Sequence, residues 1–175
     1  MVSSPDRSRG RSDRLFGTAA LTCLAAVGAA LVSQHVFDMQ PCPWCVLQRV
    51  VFLAIALACG LGLAWRSATG RLVAASLGLL LTVTGVAAAL WQHFQAAASA
   101  SCNLTLADKI VSGFLQLDSL WPDVFAARAS CADAAVNLLG IPYDVWSLAL
   151  FVALGVVLVQ LLRRPGQGGA LRAAV

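Results

Sequence analysis

Glutamate is absent from this 175-residue chain, and charge of either sign is scarce, at 11% of residues. A soluble domain carries about 25% charged residues, so the composition excludes an ordinary water-facing surface. The eight acids are all Asp, and against twelve basic residues they leave a net charge of +4. The basic residues are spread over chain ends and a turn instead of forming a patch, so no nucleic-acid partner is expected. The chain also lacks a second close pair of Cys or His ligands beside its one Cys-x-x-Cys, as a structural zinc site would need. His35 and His93 make no tight motif with the remaining cysteines, and no metal is expected. There is no internal repeat and no break in composition that would divide the chain, which reads as one domain over 1–175.

What fills the chain is apolar, 59% hydrophobic residues with a mean hydropathy of +0.81. Residues 15–37 run without a charge behind a polar, Arg-rich start. A cleaved leader has an apolar region of only about 7–15 residues, whereas spanning a bilayer takes roughly 20. The stretch therefore reads as a first transmembrane helix. Residues 45–65, with Arg49 as their only charge, make a second, 72–92 a third and 145–162 a fourth. Outer loops are expected over about 38–44 and 93–144, and the Gly-rich basic tail from 163 to 175 is expected to be disordered. Trp44, Trp91 and Trp146 fall at one set of span ends and Trp65 at the other, where amphipathic rings prefer to sit. The expected fold is an all-α, integral membrane four-helix bundle with a long outer loop.

Nine of the twelve basic residues (Arg7, Arg9, Arg11, Arg14, Arg66, Arg71, Arg163, Arg164 and Arg172) fall on the side shared by the two termini and the 66–71 turn. Lys109 and Arg128 alone lie opposite. The positive-inside rule makes the first side cytoplasmic. Within the long outer loop, Leu106, Ile110, Phe114 and Leu117 recur at helical spacing. This predicts a short amphipathic helix, either lying in the membrane interface or packed on the bundle.

Cys23 and Cys59 sit in mid-span and read as small hydrophobes. The other four cysteines, Cys42, Cys45, Cys102 and Cys131, fall on the outer side, where disulfide chemistry needs an oxidising compartment. Cys42 and Cys45 stand at the start of the second span, and Arg49 follows Cys45 by one helical turn. A helix N-terminus and a neighbouring cation both favour a nucleophilic thiolate. Arg49 alone could also snorkel to the headgroups, although ionisable residues inside a span are functional suspects. His93, at the end of the third span, is either a solvated capping residue or a donor to a polar ligand between helices. Cys102 and Cys131 either staple the outer loop or serve as the entry pair of a thiol–disulfide relay. In a relay, electrons reaching Cys45 must leave to an acceptor that is not a thiol, and a lipid-soluble quinone would suit.

These residues resemble the DsbB family, the quinone-dependent membrane oxidases that reoxidise the soluble dithiol protein DsbA. The resemblance runs from Gln34-His35-Val36 through Pro41-Cys42-x-x-Cys45, Arg49 and His93 to Cys102. It continues in Leu120-Trp121-Pro122-x-x-Phe125, Cys131, Leu139-Gly140, Pro142 and Trp146-Ser147. It implies that Cys102 forms the mixed disulfide with a periplasmic DsbA-like, thioredoxin-fold partner, and that Cys131 exchanges with Cys42. It implies further that Cys45 forms an adduct or charge-transfer complex with a ubiquinone or menaquinone, supported by Arg49 and near His93. The implied location is the bacterial inner membrane, with the redox cysteines periplasmic. Some members have an acid where this chain has Gln48, and its link from Pro142 to Trp146 is longer than in some relatives. Two other readings stay open at this stage. One is a four-span thiol oxidoreductase of opposite direction, like the vitamin K epoxide reductase type, and the other is a membrane scaffold with structural disulfides.

Overall fold

The computed structural model describes residues 5–65, 67–96, 106–134, 136–138 and 140–163; Cys102 and the tail beyond 163 lie outside them. Four long helices dominate: α1 (Pro5–Val36), α2 (Pro43–Ala64), α3 (Ala68–Trp91) and α7 (Tyr143–Leu162). All four are long and apolar enough to cross a membrane. At about 1.5 Å rise per residue, 20 residues cover the roughly 30 Å hydrocarbon core. Helix α1 begins at Pro5, well before the apolar stretch that starts at residue 15. The polar segment continues the helix because nothing in it breaks one.

Local chemistry sets the helix starts. Cys42 caps α2 in an extended conformation, and Pro43 follows at the first helical position, where its missing N–H costs nothing. Ser67 caps α3 and accepts the Gly70 N–H at 3.1 Å. At this end of the bundle the buried Arg71 pairs with Asp13 of α1 and donates to the Trp65 carbonyl. One arginine thus ties α1 to the α2–α3 turn.

Helix α2 is the most enclosed of the four. It packs between α1 and α3, α3 packs on α7, and α1 and α7 touch only sparingly. Between membrane helices, small residues let larger partners approach closely. The Phe151 ring lies against Gly85 and is stacked on Phe52 at 4.1 Å, while Phe16 lies against Gly62. A Cβ at Gly85 would stand 2.4 Å from the Phe151 ring, which Phe52 prevents from yielding. Gly85→Ala is therefore expected to cost about 1–3 kcal/mol by overpacking. Gly60→Ala, with nothing within 4 Å, should be neutral or stabilising. Thermal unfolding midpoints in detergent compare the two, and equal midpoints would remove the packing argument.

The outer segment folds as short pieces: α4 (Leu106–Asp108) running into a π-turn over Lys109–Phe114, then α5 (Leu117–Leu120) and α6 (Pro122–Phe125). A two-residue hairpin, β1 (Asn137–Leu138) with β2 (Ile141–Pro142), leads into α7. The amphipathic helix is present, and of the stripe the spacing suggests Ile110 and Leu117 pack against the start of α2, while the other two residues do not. Ala107 and Val111 are buried against the start of α2 together with Phe125, while Leu106 and Phe114 are exposed. The wider π-turn shifts the phase of the residues after Asp108, so a stripe drawn with α-helical spacing does not stay on one face.

Candidate functional site

The N-terminus of α2 places two sulfurs together. Cys42 Sγ accepts the Cys45 backbone N–H at 3.2 Å, as a capping side chain does, and lies 2.7 Å from Cys45 Sγ. A disulfide at about 2.05 Å is less than an ångström of motion away. Cys42 is fully buried, whereas Cys45 is partly open toward a cavity.

Cys131 comes to the other side of Cys42. The backbone N–H groups of Arg128 and Ala129 both donate to the Pro41 carbonyl, at 3.0 and 3.3 Å. This pins the segment leading to Cys131 onto the residue that precedes Cys42. Cys131 is buried in the same cluster as Cys42, Trp44 and Phe125, near enough for the two thiols to perturb each other. The neighbouring Cys131 and Cys45 thiols, together with burial, push the Cys42 thiol up. Cys42 in turn holds Cys131 below the usual thiol range, with the Trp44 N–H adding to the effect. Of these two, Cys42 keeps its proton and Cys131 carries the thiolate character.

Arg49 is buried, and its guanidinium makes its hydrogen bonds away from the cysteines. It donates to Gln34 Oε1 at 2.7 Å, to the Val124 carbonyl at 2.8 Å and to the Ala30 carbonyl at 3.4 Å. Gln34 completes the clamp by donating to the Asp123 carbonyl at 3.1 Å. One planar fork thus joins α1 and α6 to α2, and α6 carries the Trp-Pro segment singled out in the sequence. Arg49 and Cys45 still line the same cavity. His93 is half-exposed and sits outside that lining, with its Nδ1 2.7 Å from Asp144 Oδ2. Asp144 does line the cavity, so His93 meets it through a partner.

The cavity has a volume of about 240 Å³ and lies between α1, α2 and the start of α7, at the seam where α1 and α7 barely touch. Cys45, Gln48, Arg49 and Gln92 line it, with Ser33, Gln40, Asp144 and Ser147 adding further polar groups, while Ala and Val side chains of α1, Phe52 and Leu150 make most of the wall apolar. Gln92 is the residue that sequence reasoning missed, and Gln48 figures there only as standing where some family members have an acid. Gln92 Nε2 donates to Cys45 Sγ at 3.4 Å, and Gln48 Nε2 donates to Gln92 Oε1 at 2.8 Å. The available signal was that both are uncharged polar residues at the ends of apolar spans, where an amide must find a partner. Gln34, quoted only as part of a motif, carried the same signal.

The family profile for "Disulfide bond formation protein DsbB" matches residues 12–161. Among similar proteins is "Disulfide bond formation protein B 1" of Pseudomonas savastanoi pv. phaseolicola, 35% identical over 84% of this chain and 87% of that protein. "Disulfide bond formation protein B" of Burkholderia pseudomallei is 33% identical over 90% of this chain and 94% of its own length. The Verminephrobacter eiseniae protein of the same name is 32% identical over 91% of both.

Proposed function

We propose, from the premise that this chain belongs to the DsbB family and is a multi-pass membrane oxidoreductase of disulfide bond formation, that it reoxidises a periplasmic DsbA-like dithiol and passes the electrons to a quinone. The observation that carries this reading is the position of Cys42, with its sulfur 2.7 Å from that of Cys45 and buried in one cluster with Cys131. A staple gives no reason for Cys131 to lie beside Cys42, whereas a relay needs it there.

The steps balance as a chain of exchanges. The partner's dithiol gives two electrons and two protons to a Cys102–Cys131 disulfide, leaving the partner oxidised and both loop cysteines reduced. Cys131 then attacks Cys42 of a Cys42–Cys45 disulfide and releases the Cys45 sulfur. Attack of the Cys102 thiolate on Cys131 closes the loop disulfide and leaves Cys42 and Cys45 as the reduced pair. Cys45 faces the cavity, so electrons leave from there.

The cavity suits a quinone by its donor set. Gln48, Arg49 and Gln92 in its lining carry N–H groups that can meet carbonyl oxygens, and its mostly apolar wall suits a lipid-soluble ring. When bound, a quinone supplies an acceptor for two electrons and two protons. Cys45, Arg49, Gln48 and Gln92 would hold it, with His93 acting through Asp144. The proposed location is the bacterial inner membrane, with both termini cytoplasmic and the four outer cysteines periplasmic, in one domain with spans near 15–37, 45–65, 72–92 and 145–162.

Adding reduced DsbA-like protein to the purified chain in detergent, with ubiquinone or menaquinone present, is expected to bleach quinone absorbance catalytically. No bleaching with either would overturn the reading. Reduction of oxidised partner by added hydroquinone as the favoured direction would assign the opposite flow.

A further inference from the structure

We infer that Gln92 is a positioning residue for Cys45, and that Gln48 sets which end of the Gln92 amide meets the sulfur. The inference rests on the reading of Cys42 and Cys45 as the redox pair at the cavity.

Gln92 sits at the end of α3, where the helix widens into a π-turn over Gln92–Ala96. The turn leaves consecutive residues with opposite fates, Gln92 buried and His93 exposed. A carboxamide has two unlike ends, an oxygen that only accepts and an NH₂ that only donates. Gln48 Nε2 donates to the Gln92 oxygen at 2.8 Å, which leaves the Gln92 NH₂ toward Cys45 Sγ at 3.4 Å. A sulfur bearing negative charge accepts such a bond strongly, and charge assistance about doubles a hydrogen bond's strength. A disulfide sulfur gains little from it. The amide therefore favours the reduced pair over the disulfide and fixes the released sulfur at the cavity wall. Gln48 acts one step behind, because a side chain there that could only accept would turn the Gln92 amide over.

The test needs no quinone. In the full chain carrying Cys102→Ser and Cys131→Ser, the Cys42–Cys45 disulfide is equilibrated in detergent with glutathione. Two glutathione thiols become one glutathione disulfide as the protein pair is reduced, and alkylation counts the thiols. Gln92→Met, close in volume and without a donor, is expected to shift the equilibrium toward the protein disulfide by about tenfold, the scale of one hydrogen bond to a charged group. Gln48→Glu, which changes hardly any volume, should shift it the same way. A packing role for Gln48 would make that the mildest change available. A carboxylate also adds charge beside Cys45, so the two substitutions are combined. Action through Gln92 means that Gln48→Glu adds less than twofold in the Gln92→Met background. Unchanged equilibria in Gln92→Met, or fully additive shifts in the double variant, would overturn the inference. Gln92→Leu is read in the same way should Gln92→Met not fold. If the parent pair does not exchange with glutathione at all, the redox reading itself falls and the inference with it.

Discussion

Cys45→Ser is expected to end quinone reduction outright, with turnover falling at least about a thousandfold, the scale on which loss of a covalent nucleophile falls. Among the described residues no other cysteine lines the cavity wall, and a hydroxyl cannot be one half of a disulfide. Combined with Cys102→Ser, the same variant should accumulate a species the native chain only passes through. Cys131 still lies in one buried cluster with Cys42, and with Cys45 and Cys102 both replaced no outer thiol is left to displace it. A Cys42–Cys131 disulfide should therefore build up when diamide oxidises the two remaining outer thiols, to be found by mass spectrometry of peptides cut without reduction. Cys23→Ser and Cys59→Ser give the contrast. Both thiols are wholly buried in the bundle core, so each variant should keep near-native turnover. The buried hydroxyl should cost about 1–3 kcal/mol of stability if it finds no partner. Residual quinone reduction in Cys45→Ser, or its loss in either core variant, would place the chemistry on the wrong cysteines.

Much of this arrangement can be read from composition and spacing, and the limits have physical causes. Four charge-poor stretches interrupted by arginines and tryptophans suit a bilayer, so the four long apolar helices are visible in the sequence. The Cys-x-x-Cys at a helix start is visible because Pro43 marks that start. The meeting of Cys131 with Cys42 is a different matter, since it depends on two backbone N–H groups donating to the Pro41 carbonyl. Backbone groups are the same in every sequence and leave no trace in one. Which of the adjacent Gln92 and His93 faces Cys45 depends on how α3 packs on α2, which spacing along α3 alone does not contain. Arg49 is a third kind of case. Its charge and its depth in the span are plain in the sequence, but its acceptors are two carbonyls and an amide oxygen on other elements. The expected partner, a sulfur one turn away on the same helix, was the only one that sequence spacing could suggest.

That difference changes what Arg49→Ala should do. If the arginine served the cavity alone, partner oxidation and the exchange between Cys131 and Cys42 would survive its loss. As a clamp, it leaves the buried Gln34 amide oxygen and the Val124 and Ala30 carbonyls without their donor. Each buried acceptor left without a donor costs about 1–3 kcal/mol. The thermal unfolding midpoint in detergent should fall accordingly. Helix α6 and the backbone running on to Cys131 should loosen together, because Val124 is held by Arg49 and Asp123 by Gln34. Formation of the Cys42–Cys131 disulfide in a background carrying Cys45→Ser and Cys102→Ser should then slow by about tenfold or more, as expected for loss of at least about 1.4 kcal/mol of positioning. Arg49→Lys keeps the charge but not the planar fork, so it should restore part of the quinone affinity while leaving the exchange slow. Gln34→Ala provides the complementary case, since it removes the link to Asp123 and one acceptor of Arg49 while the cation stays. It should slow the exchange between Cys131 and Cys42 more than it raises the KM for quinone. Native exchange rates in both Arg49→Ala and Gln34→Ala would show that the outer segment is held without the clamp, leaving Arg49 to the cavity alone.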